Sequence, residues 1–342
     1  MAGMDEVPRE ILHAAYKRNP IYLLKIPLLY GFWAGAVGVL YATQQSAYAI
    51  PIGIACSLFI AYVIRGLGAI AHDAVHGSCS KSKTVSYFLS LLGWLPTGMS
   101  VTIYGNYHLH HHKIANTYPD VDNFVVTDYT RNPFLAKALL LLVYGVGYPI
   151  YFLGNMLRHY VKRLTPLQRL RMNAEVAFWA ALVGLAYWQM PHQVFFFFYA
   201  LPFLLGAFLA SLTSMIEHYE MSDTSDDAYS SRTYGTKNRI TNFLWCNVTY
   251  HNEHHKYPGI PWYNLRKFHE AAYPYYEQRV KDACHDNIYG IAFKLYGRIL
   301  ALDIAKLDER YENTDKQAER SRLRALPGIP SGAPDADTAA AA

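Results

Sequence analysis

The sequence predicts an all-α integral membrane fold: a four-helix transmembrane stem of two hairpins, with interfacial helices and a cytoplasmic histidine-rich cap. Three observations carry that expectation. No charged residue occurs from Ile26 to Ile64, from Ala138 to Leu157 or from Val176 to Ile216, and a spanning helix needs roughly 20 mostly apolar residues. The first and last of these runs are long enough for two spans each, and each is broken once, at Gln44–Gln45–Ser46 and at Pro191–His192–Gln193. Finally, ten of the 15 histidines crowd into four short stretches at 72–76, 108–112, 217–218 and 251–255, all outside the apolar runs.

Taken in order, residues 1–20 carry Pro8, Pro20 and charges of both signs. They read as a cytoplasmic segment without the apolar core of a cleavable signal. Ile21–Thr43 and Ala47–Ile70 form the first hairpin, whose second arm delivers His72 at the membrane surface. Arg65 lies two turns below that end and reads as an anchor snorkelling outward, internal pairing being the alternative. Thr84–Tyr107 is uncharged but interrupted by Gly93, Pro96 and Gly98. If it crossed the membrane, the first two histidine stretches would face opposite sides, so it reads as re-entrant or interfacial. The same parity governs Ala138–Leu157, which Arg131 and Lys137 precede and Arg158, Lys162 and Arg163 follow. Basic residues at both ends mark a helix lying in the interface.

Met172–Met190 and Val194–Ile216 form the second hairpin and bring the chain back to Glu217–His218. Neither hairpin tip contains Lys or Arg. The positive-inside rule therefore puts the tips outside, with both termini and every histidine stretch on the cytoplasmic side. Residues 21–275 make the membrane domain, 276–319 read as C-terminal cytoplasmic helices, and 320–342 as a disordered tail. The four cysteines, Cys56, Cys79, Cys246 and Cys284, show no metal or redox spacing. Hydrophobic residues make up 52% of the chain and charged ones 17%, and the net charge of +5 gives no sign of a nucleic-acid partner.

Residues four apart share a helix face. His72 can thus work with His76, His108 with His111 and His112, and His251 with His254 and His255. His110 faces away, about 100° from His111, and is left out of the set. Imidazole suits zinc, copper, iron and nickel, but nine converging imidazoles exceed one zinc site. They fit two metals of five or six coordination with open positions, and two irons able to activate dioxygen are the natural reading. A pH-responsive or proton-relay cluster is the competing reading. Three clusters repeating the same spacing on one predicted face favour metal.

These residues resemble the membrane fatty acid desaturase superfamily, the histidine-box di-iron enzymes. The resemblance runs through His-Asp-x-x-His-Gly at 72–77, His108/His111/His112 and Tyr-His-Asn-Glu-His-His at 250–255, then Tyr257–Pro258 and Ile-Pro-Trp-Tyr-Asn-Leu at 260–265. It implies a cytoplasmic cap holding two irons (Fe2+/Fe3+) over the stem, with dioxygen as co-substrate. His218 occupies the place of the family's further histidine after the last span, which completes the ligand set His72, His76, His108, His111, His112, His218, His251, His254 and His255. Asn247, four residues before His251, is a weaker candidate for a water-mediated contact to the metals. The sequence contains no His-Pro-Gly-Gly of a fused cytochrome b5 domain, which implies a separate electron donor of ferredoxin or cytochrome b5 type, with its reductase.

The expected activity is an oxygen-dependent acyl desaturase acting on an acyl-lipid, acyl-CoA or acyl-carrier-protein substrate. A lipid or carotenoid hydroxylase or ketolase is the alternative within the same chemistry, since His-Asp-Ala-Val-His-Gly also resembles carotenoid ketolases. A histidine-rich metal or proton transporter is the alternative outside it. Lys113, Arg239, Lys256, Arg266 and Lys267 are the expected footprint of an acidic donor on the cap. The apolar substrate is expected from the membrane side, beside Thr84–Tyr107.

Overall fold

The computed structural model describes residues 4–116, 120, 122, 124–126, 129–221 and 227–302. The expected tail at 320–342 lies outside them. Helix dominates, and the strands among the described residues are two dipeptides, β1 (Thr233–Tyr234) and β2 (Cys284–His285), paired in parallel. Helix α1 (Arg9–Ala15) leads to α2 (Lys25–Thr43), which enters through a turn whose Asn19 side chain accepts the Ile21 amide. Helix α3 (Ala49–Val75) runs back beside α2 and ends in the first histidine stretch.

The segment after it is a helical hairpin, α4 (Lys83–Trp94) and α5 (Val101–Ile114), joined through Pro96 and Gly98. Gly98 sits at φ +69°, a left-handed turn that suits glycine. Helix α4 descends along α3, with Ser90 Oγ donating to the Ala71 carbonyl at 3.0 Å and Tyr30 donating to the Leu92 carbonyl at 2.7 Å. Ser100 caps α5 by accepting the Ile103 amide. The hairpin thus runs along α3, bends at Pro96–Gly98 and returns to the histidine end.

Among the described residues, four helices are long and apolar enough to cross a membrane: Pro20–Thr43, Ala49–Val75, Pro133–Arg163 and His192–His218. The third of these is not the Met172–Met190 span read from the sequence. It comprises α6 (Pro133–Leu142) and α7 (Tyr148–Tyr160), joined by a wide π-helical turn. Its ring partners Tyr219, Tyr107 and His110 lie at the histidine end. Tyr144 packs on Tyr219 with ring centroids 5.3 Å apart, Phe152 on Tyr107 at 4.8 Å, and Tyr160 on His110 at 5.9 Å. Ala136, Leu140, Tyr144, Tyr148, Phe152, Met156 and Tyr160 form its buried stripe, while Phe134, Val146 and Ile150 are exposed. That is the geometry of a helix bedded across one end of the bundle.

Helix α8 (Pro166–Gln189), opened by a Thr165–Gln168 capping box, is the one that reaches the far end. Arg169, Arg171 and Glu175 lower the hydropathy of its first half. Its 24 residues extend about 36 Å; Glu175 in its first half accepts from Ser100 at the start of α5, and Tyr187 near its end packs on His192. The chain returns through α9 (His192–Phe195) and α10 (Leu201–His218). Leu40, Val194 and Phe197 form a small buried cluster with Met190 packed against it, so both hairpin tips lie opposite the histidines. The contacts therefore favour α8 over α6–α7 as the fourth stem helix.

The cap is built from α11 (Arg239–Leu244), α12 (His251–Lys256), α13 (Trp262–Ala272), α14 (Gln278–Asp282) and α15 (Ile288–Leu300). Gly66 lets the cap approach α3, because a Cβ there would stand 1.9 Å from the Leu244 carbonyl oxygen. The N-terminal segment packs on the cap. Met4, Val7 and Ala15 are buried in one cluster with Tyr250, Leu265 and Phe268 of the cap.

Candidate metal centre

The histidines come together because four helix ends point at one volume. His72 and His76 lie at the end of α3, and Gly77, at φ +68°, turns the chain away behind them. His108, His111 and His112 share one face of α5, and His218 closes α10. His251, His254 and His255 form one face of the short α12. The ligand atoms of His72, His76, His108, His112 and His254 fall within 4.8 Å of one another. His111, His218 and His255 make a second such group, and His218 and His251 a third with Glu217. Nine imidazoles thus divide five and four.

Several of their Nε2 atoms face each other. Nε2 of His108 lies 2.9 Å from that of His76 and 3.1 Å from that of His112, and Nε2 of His218 lies 3.1 Å from that of His251. Both ring nitrogens of His254 and of His255, with Nδ1 of His112 and of His251, are buried without a hydrogen-bond partner. A buried polar atom left alone costs about 1–3 kcal/mol, so this set is poorly suited to an empty protein core. Burial first, and neighbouring imidazoles second, lower the pKa of His108, His112, His251, His254 and His255, and that of His76 to about 3. At neutral pH these rings are uncharged, with lone pairs free to bind cations. The donor set fits transition metals, for which imidazole is the commonest ligand.

Acidic residues hold the rings in place. Both carboxylate oxygens of Asp120 lie 3.0 Å from His111 Nδ1, and the same carboxylate accepts the amides of Asn116 and Asp122. Burial would raise the pKa of Asp120, but His111 and the two amides outweigh it and hold the carboxyl below its usual value. The Ser230 carbonyl accepts from His218 Nδ1 at 3.1 Å and from Asn116 Nδ2 at 2.6 Å, tying α10 to the end of α5. Asp73 accepts the Trp262 amide and the Ser78 hydroxyl. Glu253 lies on the back of α12, where His269 at 2.5 Å, Tyr276 at 3.1 Å and Thr233 bond it. The sequence reading missed these supports. Their only trace was an acid within or just after each histidine stretch, a pattern that names no partner.

Three residues outside the set are placed as follows. His110 turns away, its Nδ1 2.7 Å from the Tyr160 hydroxyl. Asn247 donates to the Trp262 carbonyl at 3.2 Å. Arg65 is not a snorkelling anchor: its guanidinium turns inward to Glu217 at 3.4 Å, because a buried carboxylate competes better for it than the distant surface.

The sequence model described as fatty acid desaturase matches residues 48–282, well over half of the chain. The chain belongs to that family. Among its relatives, a sphingolipid delta(4)-desaturase of Pongo abelii is 29% identical over 62% of this chain and 62% of its own length. An sn-1 acyl-lipid omega-3 desaturase (ferredoxin) of Synechocystis is 26% identical over 79% of each chain. A human sphingolipid delta(4)-desaturase/C4-monooxygenase is 30% identical over 71% of this chain and 74% of its own. The match to the sphingolipid delta(4)-desaturase thus spans about three fifths of that relative's length.

Proposed function

We propose that this chain is an oxygen-dependent membrane oxidoreductase that desaturates an acyl chain at a di-iron centre. The observation that carries the reading is the five-and-four division of nine converging imidazoles, seven of them buried. One ion would be held by His72, His76, His108, His112 and His254, the other by His111, His218, His251 and His255. Irons bound there would supply the reductive activation of dioxygen and the oxidising power to take hydrogen from unactivated methylenes. In balance, a –CH2–CH2– unit, O2, two electrons and two protons give –CH=CH– and two waters. Because substrate and dioxygen together leave two electrons to be found, a ferredoxin- or cytochrome b5-type donor with its reductase is required.

The protein's own part is binding, orientation and exclusion of water. Asp120 and the Ser230 carbonyl fix the tautomers of His111 and His218, so that Nε2 of each faces the centre. The ring of Tyr104, stacked 5.2 Å from that of His108, holds that imidazole in orientation. The apolar substrate reaches the centre from the stem, beside α4–α5, carried on lipid, CoA or carrier protein. The cap, the centre and both termini face the cytoplasm.

A hydroxylase is the second reading, favoured by the relative whose name joins desaturase with C4-monooxygenase. Expression in a host supplied with 18O2, followed by mass spectrometry of its lipids, separates the two. Desaturation yields products two mass units lighter and free of label, whereas hydroxylation carries 18O. The purified chain should hold two irons, and alanine at any of the nine histidines should abolish turnover, with His110→Ala milder. A chain that holds iron yet consumes no oxygen and alters no lipid would sink the proposal.

A further inference from the structure

We propose that Glu217 supplies a carboxylate oxygen to the ion in the four-histidine half of the centre; the inference rests on the two-ion reading above. The two halves are unequal in imidazoles. Glu217 stands where the fifth ligand of the smaller half would be: its ligand atom and those of His218 and His251 lie within 4.8 Å of one another. It is 7% exposed and precedes His218 on α10.

The two carboxylate oxygens have different surroundings. Oε1 accepts from the Tyr234 hydroxyl at 2.6 Å and from the Arg65 guanidinium at 3.4 Å. Those donors come from β1 and α3, so two separate elements fix the carboxylate plane. Oε2 lies 3.8 Å from His251 Nε2, too far for a hydrogen bond. His218 spends its Nδ1 proton on the Ser230 carbonyl, which leaves its Nε2 with a lone pair directed at the same space. An anionic oxygen and an imidazole lone pair facing one buried volume repel unless a cation lies between them. A carboxylate there also brings one negative charge to a half that otherwise has only neutral ligands, and so favours a di- or trivalent metal.

Arg65 offers the competing explanation, in which Glu217 is only the counter-ion of a buried guanidinium. The two roles separate by substitution. The full chain, purified and loaded anaerobically with 57Fe(II), is titrated with a chelator while bound iron and Mössbauer spectra are followed. Glu217→Gln should lose one iron at a chelator concentration at least ~10-fold below that needed for the unsubstituted chain, since loss of even a supporting contact weakens metal binding 10–100-fold. Only one of the two quadrupole doublets should change.

Arg65→Gln and Tyr234→Phe keep the carboxylate and should keep both irons. Should Glu217→Gln fail to fold because Arg65 is stranded, the double variant Arg65→Gln/Glu217→Gln removes that charge and takes its place in the test. Two irons with unchanged chelator resistance and unchanged doublets in Glu217→Gln, or in the double variant, overturn the assignment. So does equal loss of iron in Arg65→Gln. An unsubstituted chain that takes up fewer than two irons overturns the two-ion reading instead.

Discussion

At the scale of single residues, the histidines divide into those that meet the centre and those that only look as if they should. His110 lies inside the run His-Leu-His-His-His, yet the helical turn sends it to Tyr160. Asp120 has no place in any motif, yet it holds His111 through two contacts of 3.0 Å. Asp120→Asn leaves the shape intact but offers His111 at most one acceptor oxygen and no charge. Removing such a supporting carboxylate typically costs 10–100-fold in metal affinity, and the loss should appear as earlier release of one ion to a chelator. Equal chelator resistance in Asp120→Asn would show that Asp120 is not what holds His111, leaving that part to packing and to Asp122, whose Oδ2 lies 3.4 Å from His111 Nδ1. Histidine spacing was legible because it is a local property of one helix turn. The partnership of Glu217 with Arg65, 152 residues apart, and of Glu253 with His269 was not. Side-chain pairs made across helices leave no periodic trace in the sequence.

Helices and hairpins are legible wherever length and parity decide together. Both arms of the first hairpin and the return through α9–α10 follow from uncharged runs with a polar break. The choice between α6–α7 and α8 was harder, since hydropathy favours the former and parity the latter. The decisive contact is Glu175, which no hydropathy count explains. It is buried on α8, where it accepts from Tyr87 at 2.7 Å, from the Thr102 hydroxyl at 2.7 Å, from the Thr102 amide at 3.2 Å and from Ser100. One carboxylate thereby locks a stem helix to both arms of the α4–α5 hairpin, and Ser100 and Thr102 belong to the first turn of the helix that carries three histidines. Glu175→Leu would strand three or four buried donors at about 1–3 kcal/mol each. The expected result is a melting temperature in detergent lowered by several degrees, together with weaker iron retention through the displaced α5. If melting and iron retention both match the unsubstituted chain, the lock is not structural.

For the whole molecule, the fold places the nine converging histidines at one end and both hairpin tips at the other, which turns orientation into a single question. A cysteine at Gln45 should react with an impermeant thiol reagent from outside the cell, and one at Lys113 should not; external labelling at Lys113 would invert the orientation argued from the basic residues. The donor proposed above would dock at the same end, and the ion pairs there bear on which cations it could meet. Arg266 is engaged with Glu270 at 2.8 Å and Lys256 with Asp5 at 3.0 Å. Arg239 opens α11 beside Ile240 and Phe243, which are exposed and apolar, so it suits a lipid headgroup better than a soluble carrier. Lys113 and Lys267 remain as exposed cations with no ion pair among the described residues. An acidic donor of the kind proposed would meet them with an association rate that opposite charge raises and salt lowers. Lys267→Glu should therefore raise the donor concentration needed for half-maximal turnover several-fold and flatten its salt dependence, while saturating donor restores the full rate. Arg239→Glu should leave both unchanged. Turnover at limiting donor that ignores Lys267→Glu but falls with Arg239→Glu would move the docking face to the rim of the membrane.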